Sequence, residues 1–374
     1  MAKVSWSVKY NATSITSRVL SMNITTGREK YLDNYAGGQA TITIDNSGDY
    51  ASGLIYGNPI EIESGTEDFL CTFWIQSITF NDYPGNTGLN TATITAVDWL
   101  ARSGRVNCNS FVLAQNDTSL QITAFQSSFG GPLPTDMLVS NLSAGSIASA
   151  ITYTGTVNNY INLLQNTERG YLVVRRNYLY PIPRPYTNSF IPISTTVGRT
   201  TSSTQIAYQT FDRIQNGLQF INTATISPNG LAAQTSTNTT SVTTYGPAFY
   251  SSGTVDYTTT QATGNAEWIV NTFSDPYSLR FECSFTDVAQ NATALSSFMN
   301  DFWGSVNRTV NLSYQVPGGS LTTVAVVMEG AEINVTPELT TFVMTFSPLQ
   351  YYQFFKLDSS VLGILDTSRL GWRG

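Results

Sequence analysis

The chain has 374 residues, 41% of them hydrophobic, enough for two to four modest domains at roughly 100–200 residues each. Only 11% are Asp, Glu, Lys or Arg, about half the ordinary share of ~25%, so solubility rests on Ser, Thr, Asn and Gln, and much of the surface is expected to be covered by neighbours. A net charge of −7 and a pI near 4.6 argue against a protein that grips nucleic acid, and the complete absence of histidine removes the commonest general base and metal ligand.

The opening MAKVSWSVKY lacks an apolar leader core, so no secretory signal is expected. No stretch approaches the ~20 apolar residues needed to span a bilayer. Residues 39–46 (QATITIDN) alternate polar with apolar, as a half-buried strand does, and 46–49 supply a turn. Residues 58–63 (NPIEIE) place Ile60 and Ile62 on one face, Glu61 and Glu63 on the other. Residues 69–80 form a longer aromatic strand with Cys71 as a small core residue, 81–90 are loop, and 91–97 (TATITAV) return as a strand. Four strands with frequent turn signals predict an antiparallel barrel or sandwich over residues 1–105.

From Val106 the pattern changes, and a small mixed α/β region is expected over 106–189. Residues 158–168 (NNYINLLQNTE) set Tyr160, Leu163 and Leu164 at helical spacing, with Gly170 as C-cap. A hairpin over 171–174 and 178–180 follows, with Arg175, Arg176 and Asn177 near its turn, before Pro181, Pro183 and Pro185 end the ladder. Residues 106–199 carry five bases and three acids, in contrast to ten acids and seven bases before them and twelve and six after. Arg169, Arg175, Arg176 and Arg184, with Arg199 beyond, form a candidate basic contact patch for an acidic partner surface; a solvated hairpin face is the other reading.

A second β-unit is expected over 190–346. Its strands are predicted at 205–210, 218–226, 277–285, 309–315, 322–328 and 340–346, with a helix at 266–273. The tail 347–374 contains a short repeat, LDSSVLG followed by LDTSRLG. Leu357, Leu362, Leu365 and Leu370 in it are candidate inter-subunit docking residues, unless they fold back on the parent core.

No catalytic set emerges: there is no GxSxG, no phosphate-cradling GxxxxGK[ST], no GxGxxG and no HExxH. Cys71, Cys108 and Cys283 form no CxxC, so neither a zinc site nor a redox motif is indicated, and a reducing compartment is expected. Glu61 and Glu63 simply share the solvent face of a strand. Residues 45–49 (DNSGD) resemble half of a calcium loop, but Tyr56 stands where a bidentate Glu belongs, so a plain turn is expected. The reading is a non-enzyme without cofactor or metal.

Several segments together resemble phage tail-tip hub proteins. They are 31–46 (YLDNYAGGQATITIDN), 57–62 (GNPIEI), 73–78, and 91–100 with its Asp98-Trp99-Leu100. Leu163-Leu164 with 168–172 (ERGYL), Tyr245-Gly246 and the ending LDSS-x-LG-x-LD follow in the family's order. The resemblance implies a mainly β fold with two tail-tube-like antiparallel barrels plus smaller mixed domains. It also implies a homotrimer in the virion's tail tip, assembled in the host cytoplasm, that caps or nucleates the tail tube. Its partners would be tail-tube or distal tail proteins and fibre or tip proteins, with viral DNA only in transit through a channel lined by uncharged and acidic residues. A hexameric distal tail ring, or a receptor- or carbohydrate-binding tail protein using the six Trp and twenty Tyr, are the alternatives. A carboxylate-only cell-wall hydrolase is disfavoured.

Overall fold

The computed structural model describes residues 3–29, 31–64, 71–128, 138–139, 147–175, 178–182, 191–215, 219–275, 279–303 and 308–351. The first unit holds β1 (Trp6–Tyr10), β2 (Thr13–Ser14), β3 (Val19–Gly27), β4 (Ala36–Asp45), β5 (Pro59–Ser64), β6 (Cys71–Asn81) and β7 (Thr91–Val97). They pair in the order β3-β4-β7-β6-β5-β1-β2. Period-2 alternation sets the faces: Ala40, Ile42 and Ile44 of β4 and Ala92, Ile94 and Ala96 of β7 are fully buried, and the threonines between them look outward, half-exposed. The N-terminal strands β1 to β3, which the sequence reading passed over, complete this sheet.

The middle region holds α1 (Trp99–Ser103), β8 (Asn107–Leu113), β9 (Asn116–Asp117), α2 (Thr118–Ser128), β10 (Leu138–Val139), β11 (Ile147–Ala148), β12 (Ile151–Thr156), α3 (Val157–Glu168), β13 (Tyr171–Arg175) and β14 (Tyr178–Ile182). Asp98 caps α1 by accepting from the Ala101 N–H, and Thr156 caps α3 by accepting from the Asn159 N–H. The C-cap of α3 falls on Arg169, left-handed at φ 51°, rather than on Gly170. Tertiary hydrogen bonds described below hold Arg169 in a conformation that glycine would adopt without them.

The second unit holds β15 (Ile191–Gly198), β16 (Gln205–Ala207) and β17 (Thr210–Gln215), and later β21 (Leu279–Thr286), α6 (Ala292–Ser297), β22 (Arg308–Gln315), β23 (Leu321–Val335) and β24 (Thr340–Pro348). Between β17 and β21 lies an insertion of β18 (Thr223–Pro228), β19 (Gln234–Thr237), α4 (Thr239–Tyr245), β20 (Phe249–Thr254) and α5 (Thr259–Phe273). α5 starts seven residues before its predicted start, because Thr258 and Gln261 form a capping box. β23 runs through Gly330 to Val335, well past its predicted end at Met328.

The two β-units repeat one strand order, although β15 runs parallel to β22 and β16 where its counterpart β1 runs antiparallel to β5 and β2. Taken in chain order, β1 to β7 correspond to β15, β16, β17, β21, β22, β23 and β24. The second unit's pairing order, β17-β21-β24-β23-β22-β15-β16, is the first unit's order with these substitutions. Even the irregularities coincide: β6 bulges against β7 between Ile75 and Ser77, and β23 bulges against β24 between Met328 and Gly330. The fold is therefore mainly β, two like units with smaller mixed parts, and no ring of strand pairings closes among the described residues.

The units join in one 14-stranded sheet. The first half of β23 pairs with β22, and its second half, from Gly330 to Val335, pairs antiparallel with Met22 to Gly27 of β3. One hydrophobic core extends through both units, and a second joins α1, α3 and the insertion. At the seam Arg28 Nε donates to Glu329 Oε2 at 2.7 Å, both side chains almost wholly buried. The Arg28 guanidinium lies 4.8 Å from the Tyr31 ring centre and 4.4 Å from that of Tyr35. The backbones meet closely here: Gly27 has φ +94°, and a Cβ on it would run into the Glu329 carbonyl.

Removing one member of a buried ion pair strands the other without its countercharge, at a cost of about 3–5 kcal/mol. Glu329→Ala is thus expected to lower stability by about that much in denaturant titration, and Gly27→Val to prevent folding or lower the melting temperature at least as far.

Candidate functional site

Among the described residues no three His, Cys, Asp or Glu side chains converge as metal ligands. Residues 45–49 form the expected turn: Asp45 accepts from the Ser47 N–H at 2.9 Å, and that bond holds its carboxyl below the usual range. Glu61 and Glu63 are half-exposed on β5, and Lys9 donates to Glu63 at 2.7 Å, a bond that raises the lysine's pKa. Burial pushes the Cys283 thiol up to about 12 and raises that of Cys108.

The surface that the fold does build is a continuous sheet face. β17, β21, β24, the second half of β23, β3, β4, β7 and β6 follow one another with unbroken antiparallel pairing. Between the bulges the registers keep period 2, so the outward residues fall into rows that each cross seven of the eight strands. One row runs Thr210, Ser284, Val343, Glu332, Thr25, Gln39 and Val97; the next runs Thr286, Thr341, Asn334, Asn23, Thr41, Thr95 and Ser77. Hydrogen bonds tie the rows across strands. Asn23 Nδ2 donates to Asn334 Oδ1 at 2.6 Å and Glu332 Oε1 at 2.7 Å, and the hydroxyls of Thr210 and Ser284 lie 2.5 Å apart.

The charges on this face are Asp45, Asp212, Glu282 and Glu332, with one base, Arg280, among the described residues; the other base of these strands, exposed Arg213 of β17, falls on the opposite face, in phase with Phe211. Arg280 is held at 2.5 Å from Glu29 and 3.0 Å from Glu282, so no uncompensated cation stands on it. At one end the face is covered by α1, where Arg102 lies 5.3 Å over the Trp74 ring. A groove of about 480 Å³ opens at the seam, walled by Arg28, Glu29, Asp33, Arg280, Glu282 and Glu332 among others.

The sequence-predicted contact residues fall elsewhere. Arg169 does not belong to a surface patch: it is 5% exposed, donates to Asn265 Oδ1 at 3.1 Å and to the Tyr250 hydroxyl at 2.8 Å, and its carbonyl accepts from the Tyr31 hydroxyl at 2.8 Å. It bolts α3 to the insertion and to the seam loop, because a buried guanidinium needs several acceptors. Arg175 ends β13; its side chain, like that of Cys71, lies outside the description. Arg176, Arg184, Leu357, Leu362, Leu365 and Leu370 lie outside the described residues, and exposed Arg199 donates to Gln315. Sequence reading missed the polar face as a unit. Its signal was the threonine at alternate positions of QATIT and TATITAV, and at 341 and 345 of TTFVMTF.

No protein-family model matches the chain, and no curated protein matches it in sequence. Solved structures do share its fold. A tail protein from Neisseria meningitidis MC58 superposes with a TM-score of 0.64 at 10% identity, covering 92% of this chain and 96% of that one. The 43 kDa tail protein of prophage MuSo2 from Shewanella oneidensis gives 0.61 at 12% identity, covering 94% and 98%. A component of the E. coli type VI secretion system, described as structurally similar to T4 bacteriophage tail proteins, gives 0.52 at 8% identity, covering 91% and 76%. The chain has the fold of phage tail proteins.

The thiol chemistry is directly measurable. At about pH 8 an alkylating reagent needs thiolate and access, so Cys108 and Cys283 are expected to stay unmodified in the native protein and to react fully in denaturant, read by peptide mass spectrometry.

Proposed function

We propose that this chain is a structural subunit of a phage tail, three copies of which close a ring that caps or nucleates the tail tube and connects it to tip or fibre proteins. The observation that carries this reading is the eight-strand polar face without a free cation. DNA must cross a tail tip without sticking, and each base that neutralises a phosphate releases counterions and tightens binding. A wall of hydroxyls, amides and carboxylates gives the phosphates nothing to hold. The fold shared with tail proteins supports the same setting, and the absence of histidine fits a non-enzymatic role.

The duplicated strand order favours three copies over six, since three chains of two like units present six equivalent units. Three copies supply about 24 strands, which at ~4.8 Å per strand give a circumference of ~115 Å and a backbone diameter of ~37 Å. With ~5 Å of side chain on each wall, the bore is wide enough for a double helix. In this arrangement tail-tube or distal tail proteins lie on one side of the ring and fibre or tip proteins on the other, and the leucines of 357–370 serve as docking residues for a neighbour.

Light scattering and electron microscopy of the purified full chain are expected to give a three-fold ring; a six-copy ring, or a stable monomer in the assembled tail, would falsify the trimer. Replacing Thr41, Asn334 and Glu332 together with lysine is expected to convert a ring that does not retain duplex DNA into one whose retention falls steeply with salt. Retention by the unaltered ring would remove the channel reading.

A further inference from the structure

Within the repeated strand order the two units differ in what lies along the outer edge of the long strand. In the second unit, β22 covers the edge of β23 as far as Val326, and β3 covers it from Gly330 to Val335. In the first unit, β5 covers the edge of the corresponding β6 as far as Trp74. Past the bulge, Ser77 to Asn81 pair with β7 on one side only. At the far end of the eight-strand run, β17, the counterpart of β3, pairs with β21 alone. Among the described residues the eight-strand run therefore ends in two strand edges without a partner strand, and each edge is the counterpart of one half of the seam that joins the two units.

We infer that these edges pair between copies: β6 of one chain with β17 of the next, antiparallel, in the register of the β23–β3 seam. This rests on the ring reading and adds to it the edges and the register. The equivalences fix the partners. Gly330 corresponds to Ser77 and Asn334 to Asn81, through the matched bulges. Met22, Asn23 and Ile24 correspond to Phe211, Asp212 and Arg213, through the matched pairing of β3 with β4 and of β17 with β21. The seam pairs Asn334–Asn23 and Ile333–Ile24 then translate into Asn81 opposite Asp212 and Phe80 opposite Arg213.

The side chains at these positions support the pairing independently. Ile333 and Ile24 are 0% and 1% exposed at the seam. Phe80, the counterpart of Ile333, is 45% exposed, a large ring left only partly covered where its counterpart is buried. Arg213 from the next copy would bring a guanidinium over that ring. The Asn81 amide would meet the Asp212 carboxylate as Asn23 meets Asn334 at 2.6 Å. A bare, regular edge is otherwise an aggregation hazard that monomeric proteins block. A head-to-tail contact of this kind closes into a ring once the rotation per copy is right.

The test is a cysteine cross-link in the full chain. Residues opposite one another in an antiparallel pair lie ~4.5–5.5 Å apart at Cα, within disulfide range. Asn81 and Asp212 stand at opposite ends of an eight-strand sheet in their own chain, so any bond between them joins two chains. Mild oxidation of Asn81→Cys/Asp212→Cys is expected to give covalent dimers and trimers on a non-reducing gel. Either single variant, and Asn81→Cys/Arg213→Cys, in which a one-residue slip turns the second thiol to the other face, should give none. Phe80→Ser, at an exposed position, should shift the trimer to monomer with the melting temperature unchanged. A native trimer whose Asn81→Cys/Asp212→Cys form stays uncross-linked overturns the pairing and leaves the ring reading standing. A chain that remains monomeric overturns both.

Discussion

Everything in this chain hangs on a single strand that belongs to two units at once. β23 is fifteen residues long, about 50 Å at ~3.3 Å per residue, more than one small sheet requires. Its first half completes the second unit, and its second half is the hydrogen-bonding partner of β3 in the first. Backbone bonds alone would leave such a seam able to slip, since the ladder is the same at every second residue. The Arg28–Glu329 pair fixes the register because a buried charge tolerates only one position, and Gly27 and Gly330 let the backbones come close enough for Arg28 N–H to reach the Glu329 carbonyl at 2.8 Å.

The same seam governs the rest of the molecule. Tyr31 and Tyr35 leave the end of β3, sandwich the Arg28 guanidinium, and continue into the second core, where Tyr31 lies 5.5 Å from Trp268 and 6.3 Å from Tyr351. The Tyr35 N–H donates to Gln165 of α3, and the Tyr31 hydroxyl to the Arg169 carbonyl. One short loop thus fastens both β-units to α3 and the insertion. The N-terminus is fastened independently: the buried Asp287 carboxylate accepts from the backbone N–H groups of Val4 and Thr340. A rigid sheet face results because its two halves have little freedom to hinge about the seam.

The two units reach one strand order with different packing. Where β4 and β7 bury Ala40, Ala92 and Ala96, the corresponding strands β21 and β24 bury Phe281, Phe342 and Phe346. Close packing demands that volume be conserved over a core as a whole and not position by position. The first unit brings in volume from isoleucines and Phe73, and the second from stacked rings such as Phe285 and Phe342 at 4.8 Å. The outward rows carry no such volume constraint, yet they are alike in both units: hydroxyls and amides with a single valine in each, Val97 and Val343, and Glu332 in the second.

Strand alternation was legible in the sequence wherever one face is buried and the other wet, and residues 91–97 form the strand that period 2 predicts. α3 followed from Tyr160 and Leu164 at helical spacing. The extension of β23 was hidden, because Gly330 reads as a strand end in isolation and becomes a close-approach residue only when β3 lies beside it. The duplication was hidden as well, since apolar residues of very different size replace one another across it. Arg169 read as surface charge for the same kind of reason: its acceptors, Asn265 and Tyr250, are some ninety residues away along the chain. Local pattern determined which side of each strand is apolar. Only the tertiary structure decided which edges meet, because pairing between distant strands depends on shape and register that no short stretch of sequence encodes.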